Sequence, residues 1–245
     1  MKRSRFTGLL LYAAIIFFSG SCNNGSEEKN NTDTTATDTT TTEPAPVANT
    51  IITTPQNVLV ITHKVSDFAK WKSAYDEHDS TRLAYGIHNF VIARGAQDSN
   101  TVMVALKIDD VTKAKAFAKD PGLKKAMQKG GVTGTPSFAF ITMVFQDTAV
   151  LTSDLRSRTT FTVKDWDAWQ KAFEDSKQER LDNGIIVRAY GYDVDNNKKV
   201  MLVTALTDTA KAFAYYKSDA LKERRKASGV VSEPDRFLYR VAQRY

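Results

Sequence analysis

The residues best suited to chemistry are the three histidines of the chain, His63, His78 and His88. Imidazole is the side chain whose ordinary pKa lets it give or take a proton near neutral pH. Tyr75 lies three residues before His78 and Arg82 four residues after it, a spacing that places them on one helix face. A cleft formed by this face and His63 would suit a ligand with a carboxylate or an enolate. Arginine would bind the charge and histidine would transfer the proton.

Each of these residues also has a structural interpretation. A histidine on an amphipathic helix is often hydrogen-bonded in place without reacting. Arg82 could pair with a carboxylate such as Asp79, and Trp71 could pack in the core or between two parts of the fold. With both interpretations open, the candidate catalytic residues are His78 and His63, and the candidate ligand contacts are Tyr75, Arg82, His88 and Trp71.

Other kinds of site find little support in the sequence. The histidines lack His-x-x-x-His or Glu-x-x-His spacing, so no metal site is expected. No serine or cysteine nucleophile motif and no dinucleotide or phosphate loop is present. The glycine-rich residues 130–134 follow a predicted helix and precede a strand, which is the wrong context for binding phosphate. No cofactor is expected, although a histidine ligand to haem stays open.

The chain contains an internal duplication with an offset of 98 residues. Asp67 and Trp71 correspond to Asp165 and Trp169, and roughly a quarter of the aligned positions are identical. The repeats are expected at residues 57–146 and 152–245. The second repeat has no histidine, and the equivalent positions hold Phe161, Ser176 and Ile186. This difference between the copies favours a functional site in the first repeat.

Each repeat shows the same order of predicted elements. β-Branched runs predict strands, apolar residues three and four apart predict helices, and Gly86 predicts the end of a helix. The first repeat has predicted strands at 58–63, 90–93, 101–107 and 138–145, and helices at 68–85, 110–119 and 123–128. The second has predicted strands at 158–163, 187–192, 199–206 and 237–241, and helices at 166–183, 209–217 and 221–227.

The order βαββαβ is the ferredoxin-like split βαβ plan, so the fold class is α+β. Such a module covers one face of its sheet with helices and leaves the other face bare. Two modules on one chain can bury their bare faces against each other. We therefore expect tandem ferredoxin-like repeats packed as an intramolecular pseudo-dimer, in a protein that is otherwise a monomer.

The pattern Asp67-x-x-x-Trp71-x-x-x-Tyr75-x-x-His78-x-x-x-Arg82-x-x-x-Gly86, with the later Leu123, Gly131-Val132 and Pro136, resembles a known superfamily. It is similar to small members of the dimeric α+β barrel superfamily, which includes the antibiotic-biosynthesis-monooxygenase-like proteins. The resemblance covers both repeats and implies the barrel fold. It implies no single reaction, because the superfamily includes cofactor-independent monooxygenases, haem-degrading enzymes, dehydratases and decarboxylases.

The N-terminus has the features of a bacterial lipoprotein signal peptide over residues 1–21. Lys2, Arg3 and Arg5 precede an apolar run at 9–18 that is too short to span a membrane. The small residues 19–21 then precede Cys22, the single cysteine of the chain, which is the expected lipidation site. Serine at position 19 departs from the leucine that is usual there. Asn23 favours the outer membrane, so the predicted location is the cell envelope.

Residues 22–56 are expected to form a flexible tether of Thr, Asn and acidic residues with no apolar periodicity. The chain carries a net charge of +6, with Lys and Arg spread over both repeats. Without a recognised binding motif, this charge favours a solvated surface, and no nucleic-acid partner is expected.

Three functional hypotheses follow. The leading one is an envelope lipoprotein that binds a small organic ligand in the first repeat, with weak or no catalysis. The second is a cofactor-independent monooxygenase or isomerase that uses His63 or His78 as the base. The third is an interaction module whose barrel interior is filled with side chains and has no pocket.

Overall fold

The structure is a computed structural model that describes residues 49–245. The predicted signal peptide, the lipidated Cys22 and the tether up to residue 48 lie outside the described residues. Within the described part, no helix is both long enough and apolar enough to cross a membrane.

The described chain begins with a short strand, β1 (Ile51–Ile52), and then shows the βαββαβ order twice. The elements of the first repeat are β2 (Gln56–Val65), α1 (Phe68–Glu77), α2 (Asp79–Ala84), β3 (Ile87–Gly95), β4 (Thr101–Ile108), α3 (Val111–Ala118), α4 (Pro121–Lys129) and β5 (Val132–Asp147). Those of the second are β6 (Leu155–Thr162), α5 (Trp166–Asp175), α6 (Lys177–Asp182), β7 (Ile185–Asp193), β8 (Asn196–Leu206), α7 (Thr209–Lys217), α8 (Asp219–Ala227) and β9 (Asp235–Arg244). The predicted tandem α+β architecture is confirmed.

The strands close into a barrel in which each strand from β2 to β9 has two neighbours within the barrel, and β5 pairs in addition with β1. Around the barrel the order is β5-β2-β4-β3-β9-β6-β8-β7, and β7 pairs again with β5. Two seams join the repeats, with Ala93 opposite Val241 on one side and Met143 opposite Gly191 on the other. These seams are equivalent under the offset of 98 residues, so the two repeats form the intramolecular pseudo-dimer.

The sequence alternation places apolar side chains on both faces of the sheet. In β2, Leu59 and Ile61 pack with Trp71 beneath the helices, whereas Val58 and Val60 face the barrel interior. The helices therefore cover the outside of the barrel, and an inner and an outer core lie on opposite faces of the sheet.

Glycine is required at two positions of this architecture. Gly86 ends α2 with φ +67°, a conformation that costs other residues about 1 kcal/mol or more. Gly191 lies at the seam between β5 and β7, where a Cβ atom would stand 2.1 Å from the carbonyl oxygen of Thr142. A side chain at this position would push the two repeats apart.

The long first helix predicted in each repeat is wrong, because each is broken into two. α1 ends at Glu77 and α2 begins at Asp79, with His78 between them at φ −89° and ψ 9°. The equivalent break falls at Ser176. The predicted closing strands were too short, and the end of the predicted tether instead forms β1, where Ile52 pairs with Gln146 of β5.

Candidate functional site

The first helix of each repeat positions a tryptophan against the sheet. The side chain of Asp67 accepts a hydrogen bond of 2.7 Å from the backbone N–H of Lys70, which caps α1. The cap fixes the start of the helix, so that Trp71 points inward and is 3% exposed. Its equivalent Trp169 is buried in the same way. Both tryptophans pack between helix and sheet, and the cluster around Trp169 also includes Val144 and Phe145 from β5 of the first repeat.

The break at His78 explains the role of Arg82. The Nη1 of Arg82 donates to the carbonyl oxygen of Tyr75 at 2.7 Å, and its Nη2 donates to Asp79 at 2.9 Å. The guanidinium also lies 3.7 Å from the centroid of the Tyr75 ring. The second repeat matches this arrangement, since Arg180 stacks on Phe173 and binds its carbonyl oxygen. Arg82 therefore stabilises the broken helix through its two terminal nitrogens, while its Nε is buried without a hydrogen-bond partner among the described residues.

His63 has no such structural partners. It projects from β2 into the outer core, is 6% exposed, and lies 5.5 Å from the Trp71 ring centroid. Among the described residues, neither ring nitrogen has a hydrogen-bond partner. Burial lowers the pKa of His63 to about 4, so the imidazole is neutral at pH 7.

A cleft of about 40 Å³ lies between the helices of the first repeat and the outer face of the sheet. Its lining is mostly apolar and includes Leu123 and Met127 of α4. The cleft brings together five of the predicted site residues: His63, Trp71, Tyr75, His78 and Arg82.

His78 is less buried in the cleft than His63. It is half-buried at the helix break, and its ring centroid lies 6.1 Å from that of Phe117. Burial first, and then the cation of Arg82, lower the pKa of His78 below its usual value. The imidazole is therefore also neutral at pH 7.

His88 does not join the cleft. Its side chain is 46% exposed, and its Nε2 lies 2.9 Å from a carboxylate oxygen of Asp109. Because β3 alternates between the two faces of the sheet, the residue next to it, Asn89, takes a place in a network that sequence reasoning missed. The Tyr75 hydroxyl donates to Asn89, which donates to Asp79 at 2.7 Å. Nothing in the sequence marks Asn89, whose equivalent is Val187.

The second repeat has an equivalent cleft with different chemistry. It encloses about 90 Å³, and Phe161 and Ser176 replace the two histidines. Three arginines that face it were not singled out from the sequence: Arg224, Arg225 and Arg236. Arg224 pairs with Glu179, and Arg236 lies 3.5 Å from the ring centroid of Tyr216. This cleft is more cationic than that of the first repeat.

Within residues 49–245, no cluster of three or more His, Cys, Asp or Glu side chains could hold a metal ion.

No protein family model matches the sequence, and no curated protein matches it at a significant level. Several crystal structures share the fold. A candidate monooxygenase from Fusobacterium nucleatum aligns with a TM-score of 0.51 and 16% identity, covering 78% of this chain and 94% of its own. An anthrone oxidase-like protein aligns with a TM-score of 0.52 and 14% identity, covering 79% and 94%. A candidate chlorite dismutase aligns with a TM-score of 0.52 and 14% identity, covering 77% and 96%.

At these identities the likeness shows the fold and no more. The neighbours extend over the same two-repeat length as the described residues. The chain therefore has the ferredoxin-like fold of the dimeric α+β barrel proteins, with both halves of the barrel on one polypeptide.

Proposed function

We propose that this protein binds a small organic ligand in the cleft of the first repeat, without efficient catalysis. The observation that carries the proposal is His63, a buried imidazole beside a cavity, neither of whose nitrogens has a hydrogen-bond partner within residues 49–245. A buried polar group without a partner costs about 1–3 kcal/mol, so a ligand that supplied a hydrogen bond would recover that free energy. Phe161 at the equivalent position shows that the fold itself needs no polar group there.

The cleft limits the size of the ligand. Its volume of about 40 Å³ holds a few non-hydrogen atoms as it stands. Met127 is a flexible side chain that can move aside for a flat ring. The ligand class that fits is a small planar molecule with a hydroxyl or carbonyl group, because a neutral imidazole can both donate and accept.

Binding is favoured over catalysis by the weak basicity of His63. A general base works best when its pKa lies near the working pH, whereas the pKa of His63 is about 4. A cofactor-independent monooxygenase that uses His63 or His78 as the base is the second candidate. The dry, apolar cleft favours it, as do two neighbours described as a candidate monooxygenase and an anthrone oxidase-like protein. Turnover of hydroquinone that rises with pH through the pKa of a histidine would support it.

Two other hypotheses, haem binding in the cleft and an interaction module without a pocket, have less support. Haem does not fit the cleft, since ligands of even drug-like size need pockets of roughly 300 Å³ or more, against about 40 Å³ here. A pocketless interaction module would have its barrel interior filled with side chains. In this structure the interior keeps a cavity of about 430 Å³.

The test of the proposed function is calorimetric titration of the full chain with hydroquinone. His63→Phe introduces the residue of the second repeat at the equivalent position. We expect it to weaken binding by about tenfold or more, because a hydrogen bond is lost in an apolar site. His88→Ile is the matched control, since it removes an exposed histidine and introduces the equivalent residue, Ile186. Equal affinities for the wild type and His63→Phe would reject the cleft as the site.

We also propose that Cys22 carries a lipid that holds the protein in the cell envelope, where it would meet its ligand. The support is the order of the N-terminal residues: basic residues, a short apolar run, small residues and then a single cysteine.

A further inference from the structure

The barrel interior, here called the lumen, contains the cationic side chains that distinguish the two repeats most clearly. Its lining includes Arg156, Arg158 and Arg188 from the second repeat. The equivalent residues of the first repeat are Val58, Val60 and Phe90, and all three also line the lumen. Since one half of the barrel closes with apolar residues at these positions, the fold does not require the arginines.

Two of these arginines have partners of opposite charge. Arg188 is 6% exposed, and its Nη1 lies 2.6 Å from Asp147, the one acidic residue in the described lumen lining. Arg158 reaches away toward Asp235, with an N–O distance of 3.7 Å, and donates to the hydroxyl of Thr62. Both Arg188 and Arg158 therefore have an acidic neighbour.

Among residues 49–245, Arg156 has no acidic side chain within ion-pair distance. It is 4% exposed, and its Nη1 donates only to the backbone carbonyl oxygens of Ser153 and Leu155. Its Nε is buried without a hydrogen bond among the described residues. Burial lowers the pKa of Arg156, and the nearby cations of Arg188 and Arg244 add to this effect, whereas Tyr239 and Asp154 oppose it from a distance. A buried charge is costly unless an opposite charge and hydrogen bonds compensate it.

The rest of the lining is mixed, since polar side chains that include Asn89, Lys107, Gln146 and Arg244 lie beside an apolar wall, and the lumen has room for a molecule. Met103, Met143 and Met201 face it together with several valines and alanines. Its volume is about 430 Å³, which at about 30 Å³ each accommodates roughly a dozen non-hydrogen atoms. Methionine side chains adapt to ligands of different shape, so this wall suits a flexible apolar chain.

We propose that the lumen is a second binding site, which takes a carboxylate with an apolar body of medium-chain length. The carboxylate binds the free edge of Arg156, because the guanidinium fork matches carboxylate geometry. The apolar body packs against the methionines. The site lies on the opposite face of the sheet from the His63 cleft, so it does not depend on the function proposed for that cleft.

The test is calorimetric titration of the full chain with octanoate, with octanol and acetate as probes that lack the charge or the apolar body. We expect one octanoate per chain, and affinities for octanol and acetate that are weaker by about tenfold or more. Arg156→Val, which introduces the residue of the first repeat, should weaken octanoate binding by a similar factor. Arg156→Lys keeps the charge without the fork and should give an intermediate affinity.

The His63→Phe variant is the control, and it should bind octanoate like the wild type. Thermal unfolding of each variant verifies that it is folded. Absent octanoate binding, equal binding by wild type and Arg156→Val, or equal affinity for octanol and octanoate would each overturn the proposal. Loss of octanoate binding in His63→Phe would also overturn it, since the ligand would then occupy the cleft.

Discussion

Replacing His63 with phenylalanine should change how stability depends on pH. In the folded chain the pKa of His63 is about 4, against an ordinary value of 6.5. Between these two pH values the unfolded chain holds a proton on His63 that the folded chain does not. Protonation therefore favours unfolding. The contribution of His63 to stability is complete above pH 6.5 and is lost as the pH falls toward 4.

The size of the effect follows from the shift. A change of about 2.5 pKa units corresponds to about 3 kcal/mol once the pH is below both values. Most of this effect should be measurable at about pH 4.5. Between pH 7 and pH 4.5, the free energy of unfolding of the wild type should fall by about 2–3 kcal/mol more than that of His63→Phe. Strain or better packing from the phenyl ring changes stability equally at both pH values. It therefore cancels in the comparison.

The assay is urea unfolding followed by circular dichroism, for both proteins, at several pH values from 7 down to 4.5. Carboxylates such as Asp98 and Asp120, whose pKa values are lowered by hydrogen bonds, also titrate at the acid end. They are present in both proteins, as is His78, so the difference between the two curves isolates His63. Parallel curves for the wild type and His63→Phe would show that His63 is hydrated or partnered in solution, and would refute the reasoning.

Two further predictions concern the barrel seam and the anchor. Gly191→Ala should lower the free energy of unfolding by about 1–3 kcal/mol, because the added methyl collides with Thr142 across the seam. Ala93, the equivalent residue of the other seam, already carries a methyl group. A Gly191→Ala protein as stable as the wild type would contradict the seam geometry. Cys22→Ser should release the protein from the membrane fraction of a bacterial host and abolish labelling by a fatty-acid analogue. Retention of the serine variant in the membrane fraction would disprove lipidation at this residue.

The element order could be read from the sequence because the duplication gave two independent views of each signal. Gly86 and its equivalent Gly184 correctly marked helix ends, and both have φ +67°. The break at His78 could not be read, because no proline or glycine interrupts the apolar spacing. It depends on Arg82 binding the carbonyl oxygen of Tyr75, which is a contact between turns that only the folded chain displays.

The candidate site was partly predictable for a similar reason. Helical spacing placed Trp71, Tyr75, His78 and Arg82 on one face, and the structure brings them to the same cleft as His63. The lumen arginines were not predicted. Along the chain they appeared as part of an even spread of basic residues. Their shared direction depends on strand register and on the closure of the barrel, which composition does not reveal.

The covalent link between the repeats has a consequence for the lumen. In a barrel assembled from two identical chains, twofold symmetry would place every inward-facing residue twice. Arg156, Arg158 and Arg188 would then appear as six arginines in one small chamber, with strong mutual repulsion. Fusion removes this constraint, because one half can carry the three arginines while the other has Val58, Val60 and Phe90 at the equivalent positions. Such an asymmetric distribution of arginines can evolve after gene duplication and fusion, but it cannot occur in a symmetric homodimer.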